Sequence, residues 1–240
     1  MRALINKRTT PGALRGSRTP TAGTPTGPHV WRSMVLRPLV VAGLVVSTAV
    51  APVACSGSEG STASSSYSGY VVDPPVSVAD VTLPTTDGTE FPMVARPDGL
   101  ALVYFGYTYC PDVCPTTMSD LRRALGELPD GEADRVDVAM VTIDPARDSA
   151  EVLEGYVGNF IADATALRTD DPELLRSAAD AFGADYAVEQ TPDGEFEVSH
   201  TGEVYAVDDS GTVVMQWPFG TGSESFARDL ESLLSQATEN

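Results

Sequence analysis

The chain has 240 residues, 42% of them hydrophobic, which is enough to bury one globular core with attachments to spare. Its formal net charge of −19 is unevenly placed: the seven basic residues before Cys55 (Arg2, Lys7, Arg8, Arg15, Arg18, Arg32, Arg37) stand in a stretch without an acid, while all 34 acids and eight arginines, with no lysine, follow it. Such an acidic body repels nucleic-acid phosphates and anionic headgroups, so no nucleic-acid partner is expected. A cation or a basic partner suits it, although an acidic surface also serves plain solubility.

Residues 1–33, rich in Thr, Pro, Gly and Arg and without apolar periodicity, read as a disordered or misassigned extension. From Met34 the sequence MVLRPLVVAGLVVSTAVAPVAC sets a basic residue, an apolar run from Leu39 to Ala51, small residues and then Cys55 in order. That is the layout of a secretory signal over 34–54, and the run is short for a membrane span, which takes about 20 residues. Met34 would give a signal of ordinary length and is the expected start. Cys55 precedes a Ser/Gly-rich stretch, and 55–76 reads as a flexible tether. This resembles a bacterial lipoprotein signal in which Cys55 is lipidated, with Pro52 standing where the lipobox usually has Leu. An uncleaved anchor and plain secretion are the alternatives. Each places the domain, 77–240, outside the cytoplasm, where disulfides are permitted.

Ser77 to Phe91 alternates apolar and polar residues around Asp87-Gly88 and predicts a β-hairpin outside the main layer. Leu100 to Phe105 is a continuous apolar run, the mark of a strand covered on both faces, and it leads into CPDVC. Beyond Pro115, Met118, Leu121, Leu125 and Leu128 fall on one helical face, with Pro115 suited to the first turn. Val136 to Ile143 predicts a second buried strand, and Ser149 can cap a helix running to about Phe160. Ala164 to Arg168 is a short third strand, and Pro172 opens a helix. Val204–Val207 and Thr212–Trp217 form a hairpin through Asp208–Gly211, and Ser223 to Gln236 is a closing helix. Strands separated by helices require parallel neighbours, and the last pair adds an antiparallel edge. The fold class is therefore α/β and thioredoxin-like, a central mixed sheet flanked by helices with an N-terminal β-hairpin. No internal repeat and no glycine-rich phosphate loop is present, so no nucleotide is expected.

Beyond the signal the chain holds two cysteines, Cys110 and Cys114, and one histidine, His200. The i, i+4 spacing at a strand-to-helix junction sets both sulfurs on one face near a helix N-terminus, whose free N–H groups favour thiolate. Such a pair can form a disulfide or chelate a soft metal. A structural disulfide is the default for an exported domain. A bridge closing only three intervening residues removes little chain entropy, however, and strand-to-helix turns are where α/β sheets carry their sites. A lone histidine is more often a core or surface residue than a ligand. In a thioredoxin-like sheet, though, the loop before the strand at Val204 lies beside the cysteine loop, where the usual occupant is a cis-proline. His200 there would bring an imidazole to both sulfurs. Structural zinc would want a fourth ligand and iron–sulfur clusters four thiolates, so this set favours copper, as Cu(I) or Cu(II).

FGYTYCPDVCP (105–115), VTIDPARD (141–148) and SHTGEVYAVDDSG (199–211) together resemble, in order and spacing, the SCO/SenC proteins, thioredoxin-like copper metallochaperones of cytochrome c oxidase. The resemblance spans about 78–234. It implies copper bound by Cys110, Cys114 and His200 and delivered to the oxidase's binuclear copper centre. The implied partners are the copper-binding subunit of the oxidase, an upstream copper donor protein, and the membrane through a lipid anchor. The alternative is a thiol-disulfide oxidoreductase that keeps the oxidase cysteines reduced, with Cys110 and Cys114 as the redox pair and Cys110 attacking. Thiol peroxidase activity is weaker, because no Thr-x-x-Cys pattern occurs. The family commonly has Asp where Ser199 stands, which predicts a looser hold on the imidazole. Asp112 is expected to satisfy N–H groups at the helix start, and Asp144, Arg147 and Asp148 to serve as turn and capping residues.

Overall fold

The computed structural model describes residues 67–238. The expected extension, the signal, Cys55 and the tether as far as residue 66 lie outside them. The elements are β1 (Tyr70–Ser77), β2 (Thr82–Pro84), β3 (Glu90–Pro92), β4 (Leu100–Gly106), α1 (Val113–Glu127), β5 (Val136–Thr142), α2 (Ala150–Phe160), β6 (Thr165–Leu167), α3 (Pro172–Phe182), β7 (Tyr186–Gln190), β8 (Phe196–His200), β9 (Val204–Val207), β10 (Thr212–Trp217) and α4 (Ser223–Ala237).

Six strands form the central sheet in the order β1-β10-β9-β4-β5-β6. β4 runs parallel to β5, Leu100 opposite Val136 through Gly106 opposite Thr142, and antiparallel to β9. Every residue of β4 is buried, as its unbroken apolar run requires of a central strand. Its side chains alternate between two cores. Phe105 meets Phe182 of α3 and Tyr205 of β9 edge-on, at ring-centroid distances of 5.5 and 6.3 Å. Tyr104 points the other way, toward α1 and the cysteines. Side chains such as Leu102, Met118, Leu121 and Leu230 are fully buried, each contributing about 1.5–3 kcal/mol of transfer free energy.

The helix ends agree with their sequence signals. Ser149 caps α2 by accepting the Val152 N–H, and Asp171 caps α3 by accepting from Glu173 and Leu174. Gly183 closes α3 in the left-handed conformation that glycine adopts without strain. The expected hairpin around Asp87-Gly88 is β2–β3, a separate two-stranded sheet shorter than its alternating stretch.

Two features differ from expectation. Ordered structure begins before Ser77: β1 occupies 70–77 and pairs with β10, so the sheet edge lies inside the segment expected to be tether. Pro74-Pro75 and an exposed surface disguise this strand; the prolines are tolerated because β1 is an edge, and the pairing register shifts between Val71 and Val76. The second feature is the β7–β8 hairpin, a further two-stranded sheet where no strand was expected. Its residues are half-buried or exposed and rich in Glu, so no buried apolar run marks it. The Asp193-Gly194 turn between two alternating stretches was the available signal.

The start of β1 is held by Asp229 of α4, a buried carboxylate whose Oδ2 accepts from Ser68 N, Gly69 N and Trp217 Nε1, each at 2.9 Å. Asp229→Ala leaves these donors without their acceptor. It is expected to cost about 3 kcal/mol in urea unfolding, with an unchanged m-value. An unaltered midpoint would show that β1 is held by its ladder with β10 alone.

Candidate metal centre

β4 ends at Gly106, and the loop that follows turns directly into α1, whose N-cap is Asp112. Asp112 Oδ1 accepts the Val113 N–H at 2.7 Å, which bears out the expected capping role. The helix thus begins at Val113 and takes in Cys114, two residues earlier than the proline signal alone indicates. The Cys114 N–H, at this helix start, points at Cys110 Sγ, 3.3 Å away. Both cysteines are free thiols and buried. Burial pushes the Cys114 thiol up to about 12, so without metal it keeps its proton at neutral pH.

His200 is the last residue of β8, on an ordered hairpin rather than in a loop. Its Nδ1 lies 2.7 Å from the Thr201 carbonyl oxygen, which can only accept, so Nδ1 carries the hydrogen. Burial lowers the imidazole pKa and so favours the neutral ring, outweighing the Thr201 hydrogen bond and the Glu203 charge, which act the other way. The Nε2 lone pair is therefore the free one, and it faces Cys114 Sγ at 3.7 Å. The protonated thiol is the donor in that pair. Tyr104 and Tyr107 set their rings edge-on to the imidazole at 6.2 and 5.8 Å.

The two sulfurs and one histidine nitrogen all lie within 4.8 Å of one another. Sequence reasoning named these three residues, and the fold brings them together. The set is soft, three-coordinate and close enough for one ion to join; it is one donor short of a closed zinc site and suits copper. At the departure from the family pattern, Ser199, the side chain does not supply the imidazole's partner. Ser199 is exposed and pairs with Ala187 in the hairpin, while the Thr201 carbonyl fixes the ring.

Asp148 does more than the turn or capping role expected of it. Wholly buried, it accepts from Thr108 N at 3.1 Å and Thr108 Oγ1 at 2.5 Å in the cysteine loop, and from Thr142 Oγ1 at 2.6 Å at the end of β5. It ties the loop to the sheet. Arg147 pairs with buried Asp144 and also lies over the rings of Tyr107, Tyr109 and Phe196. No signal in the sequence pointed to that aromatic set, because its members come from two separate segments.

A six-stranded mixed sheet with helices, a CxxxC loop leaving its central strand and a distant histidine closing on that loop define a thioredoxin-like metal-site domain. The SCO1/SenC family model matches residues 76–235. The chain belongs to the SCO1/SenC family. A protein of Stutzerimonas stutzeri is 34% identical over 112 residues, 47% of this chain and 54% of its own length. The chain spans about half the length of the curated relatives it matches. Among solved structures, apo Sco1 of Thermus thermophilus is 33% identical with a TM-score of 0.63, covering 70% of this chain and 96% of its own. ScoI of Bradyrhizobium japonicum, solved with copper bound, is 26% identical with a TM-score of 0.56, covering 64% and 96%.

Gly106 is the narrow point of the site. A Cβ there would lie 2.8 Å from Tyr104 Cε1, 3.0 Å from Met140 Cε and 3.1 Å from Cys114 Sγ. Gly106→Ala is expected to destabilise by about 1–3 kcal/mol and to displace Cys114. Faster alkylation of Cys114 in the metal-free protein would register the displacement; wild-type stability and thiol reactivity together would show that the site has slack.

Proposed function

We propose that this domain binds copper through Cys110, Cys114 and His200 and delivers it to the binuclear copper centre of cytochrome c oxidase. The observation that carries the proposal is the convergence of the two sulfurs and the imidazole, with Nε2 free and turned toward Cys114. The family's association with oxidase assembly supports the destination. Copper is here the cargo. Taking it up replaces the thiol protons, and the neutral imidazole adds its Nε2 lone pair without losing a proton. Release proceeds by exchange of these ligands for those of the receiving oxidase subunit, and an upstream donor protein loads the site in the same way.

The location proposed is outside the cytoplasm, with the domain tethered to the membrane through lipidated Cys55. Among the described residues no helix is long and apolar enough to cross a membrane. The apolar run and small residues before Cys55 support the anchor.

A second reading, thiol-disulfide exchange, is favoured by the environment of Cys110, which is the more exposed cysteine, 9% against 0% for Cys114, and whose Sγ receives the Cys114 N–H. In that role the Cys110 thiolate attacks a target disulfide. Cys114 then resolves the mixed disulfide, leaving the target as two thiols and the domain oxidised until an external dithiol reduces it.

His200→Ala separates the two. It is expected to weaken copper by a factor on the order of 100 or more, since losing even a group that orients a ligand costs about 10–100-fold, while thiol exchange persists. Competition against a chelator of known affinity measures the first, and reduction of a model disulfide the second. Unaltered copper affinity would refute the three-ligand site.

A further inference from the structure

His200 reaches the cysteines from a hairpin that shares no hydrogen-bonded ladder with the central sheet. The root of the hairpin is attached to α3 by Arg176, which donates to the Tyr186 carbonyl at 2.6 Å and lies 3.8 Å over the Tyr186 ring. Near its other end the hairpin meets the metal loop through Arg147. The guanidinium carbon lies 4.5 Å from the centroid of Phe196, the first residue of β8, and 5.1 and 5.9 Å from those of Tyr109 and Tyr107, which precede Cys110 in the metal loop. Tyr107 in turn stands perpendicular to His200, at 5.8 Å. Buried Asp144 orients the guanidinium by pairing with Nε, and Nη2 has no hydrogen-bond partner among the described residues. Arg147 thus faces three aromatic rings drawn from both halves of the site.

We propose that Arg147 is a positioning residue: it clamps the β7–β8 hairpin, and with it His200, onto the cysteine loop. A cation against aromatic faces is attracted to their π charge, and contacts of this kind, here with the largely buried guanidinium spanning buried Tyr107 and the exposed rings of Tyr109 and Phe196, hold a segment that backbone hydrogen bonds do not. Releasing the clamp leaves the Cys110–Cys114 pair in place on β4 and α1 and lets the histidine arm move away. Closed, the domain presents three ligands; open, it presents two thiols, the state from which cargo is passed on. This last consequence rests on the copper reading, whereas the clamp itself does not.

The test uses two substitutions in the whole domain. Arg147→Met removes the cation. Phe196→Leu, at a position 40% exposed, keeps an apolar side chain while removing the ring face, and guards against misfolding caused by an unpaired Asp144. In the metal-free protein, amide exchange at Ala187, Glu189, Glu197 and Ser199, whose N–H groups face the partner strand, is expected to rise roughly 2- to 5-fold in both variants, with β4 and β5 unaltered. Arg147→Lys restores part of that protection. Unchanged hairpin protection, or an equal rise in β4 and β5, would overturn the clamp. Added Cu(I), measured by chelator competition, is expected to bind both variants more weakly than wild type and more tightly than His200→Ala. Wild-type affinity in both variants would overturn the link from clamp to site. A wild-type domain that takes up no copper would sink the copper reading, and amide exchange would still decide the clamp.

Discussion

The metal centre depends on one buried carboxylate. Asp148 has no exposed surface, and burying a charge costs several kcal/mol unless its lone pairs are met. Here three donors meet them, two from Thr108 and one from Thr142. The carboxylate therefore joins the loop after β4 to the end of β5, extending by side chains a parallel pairing that the backbone continues as far as the Ile143 N–H on the Gly106 carbonyl at 2.9 Å. With the loop fixed at Thr108, the chain turns into α1 at a defined point. Cys114 then falls in the first turn of α1, and Cys110 in the loop just before it, where its Sγ accepts the Cys114 N–H. The cysteines supply the chemistry, and Asp148 fixes where it happens.

The site also solves a charge problem. Two thiolates and a neutral imidazole would be costly in a buried pocket without a cation, so the metal-free domain keeps the Cys114 proton and turns the thiol toward Nε2. In place of those charges a neutral donor–acceptor pair joins the Cys114 thiol to His200 Nε2. The carbonyl of Thr201, rather than a side chain at position 199, selects the tautomer that makes this possible.

Much of this could be seen in the sequence because burial writes itself in periodicity. β4, β5 and the four helices were legible from apolar runs, one-sided faces and caps, and the three ligands from their scarcity and spacing. What stayed hidden had no such pattern. β1 is an edge strand with two prolines and an exposed surface, and the short β7–β8 hairpin sets Glu189 and Glu197 on one face and buries no residue fully on the other. Asp148 and Arg147 look like turn residues in sequence, because their partners, Thr108 and Phe196, lie far away along the chain. Long-range polar and aromatic contacts leave no local period to read.

The β7–β8 hairpin contributes the histidine but no rung to the central sheet. The domain therefore consists of a stable body, which owns the sulfurs, and an appendage, which owns the nitrogen. The free energy of unfolding belongs to the first, and the free energy of moving the ligand belongs largely to the second. The two quantities are separable. Substitutions at the exposed positions of the hairpin, as opposed to Tyr186 and Val198, which pack against the core, can retune how firmly an ion is held, or how readily it is surrendered, with little effect on the stability of the fold.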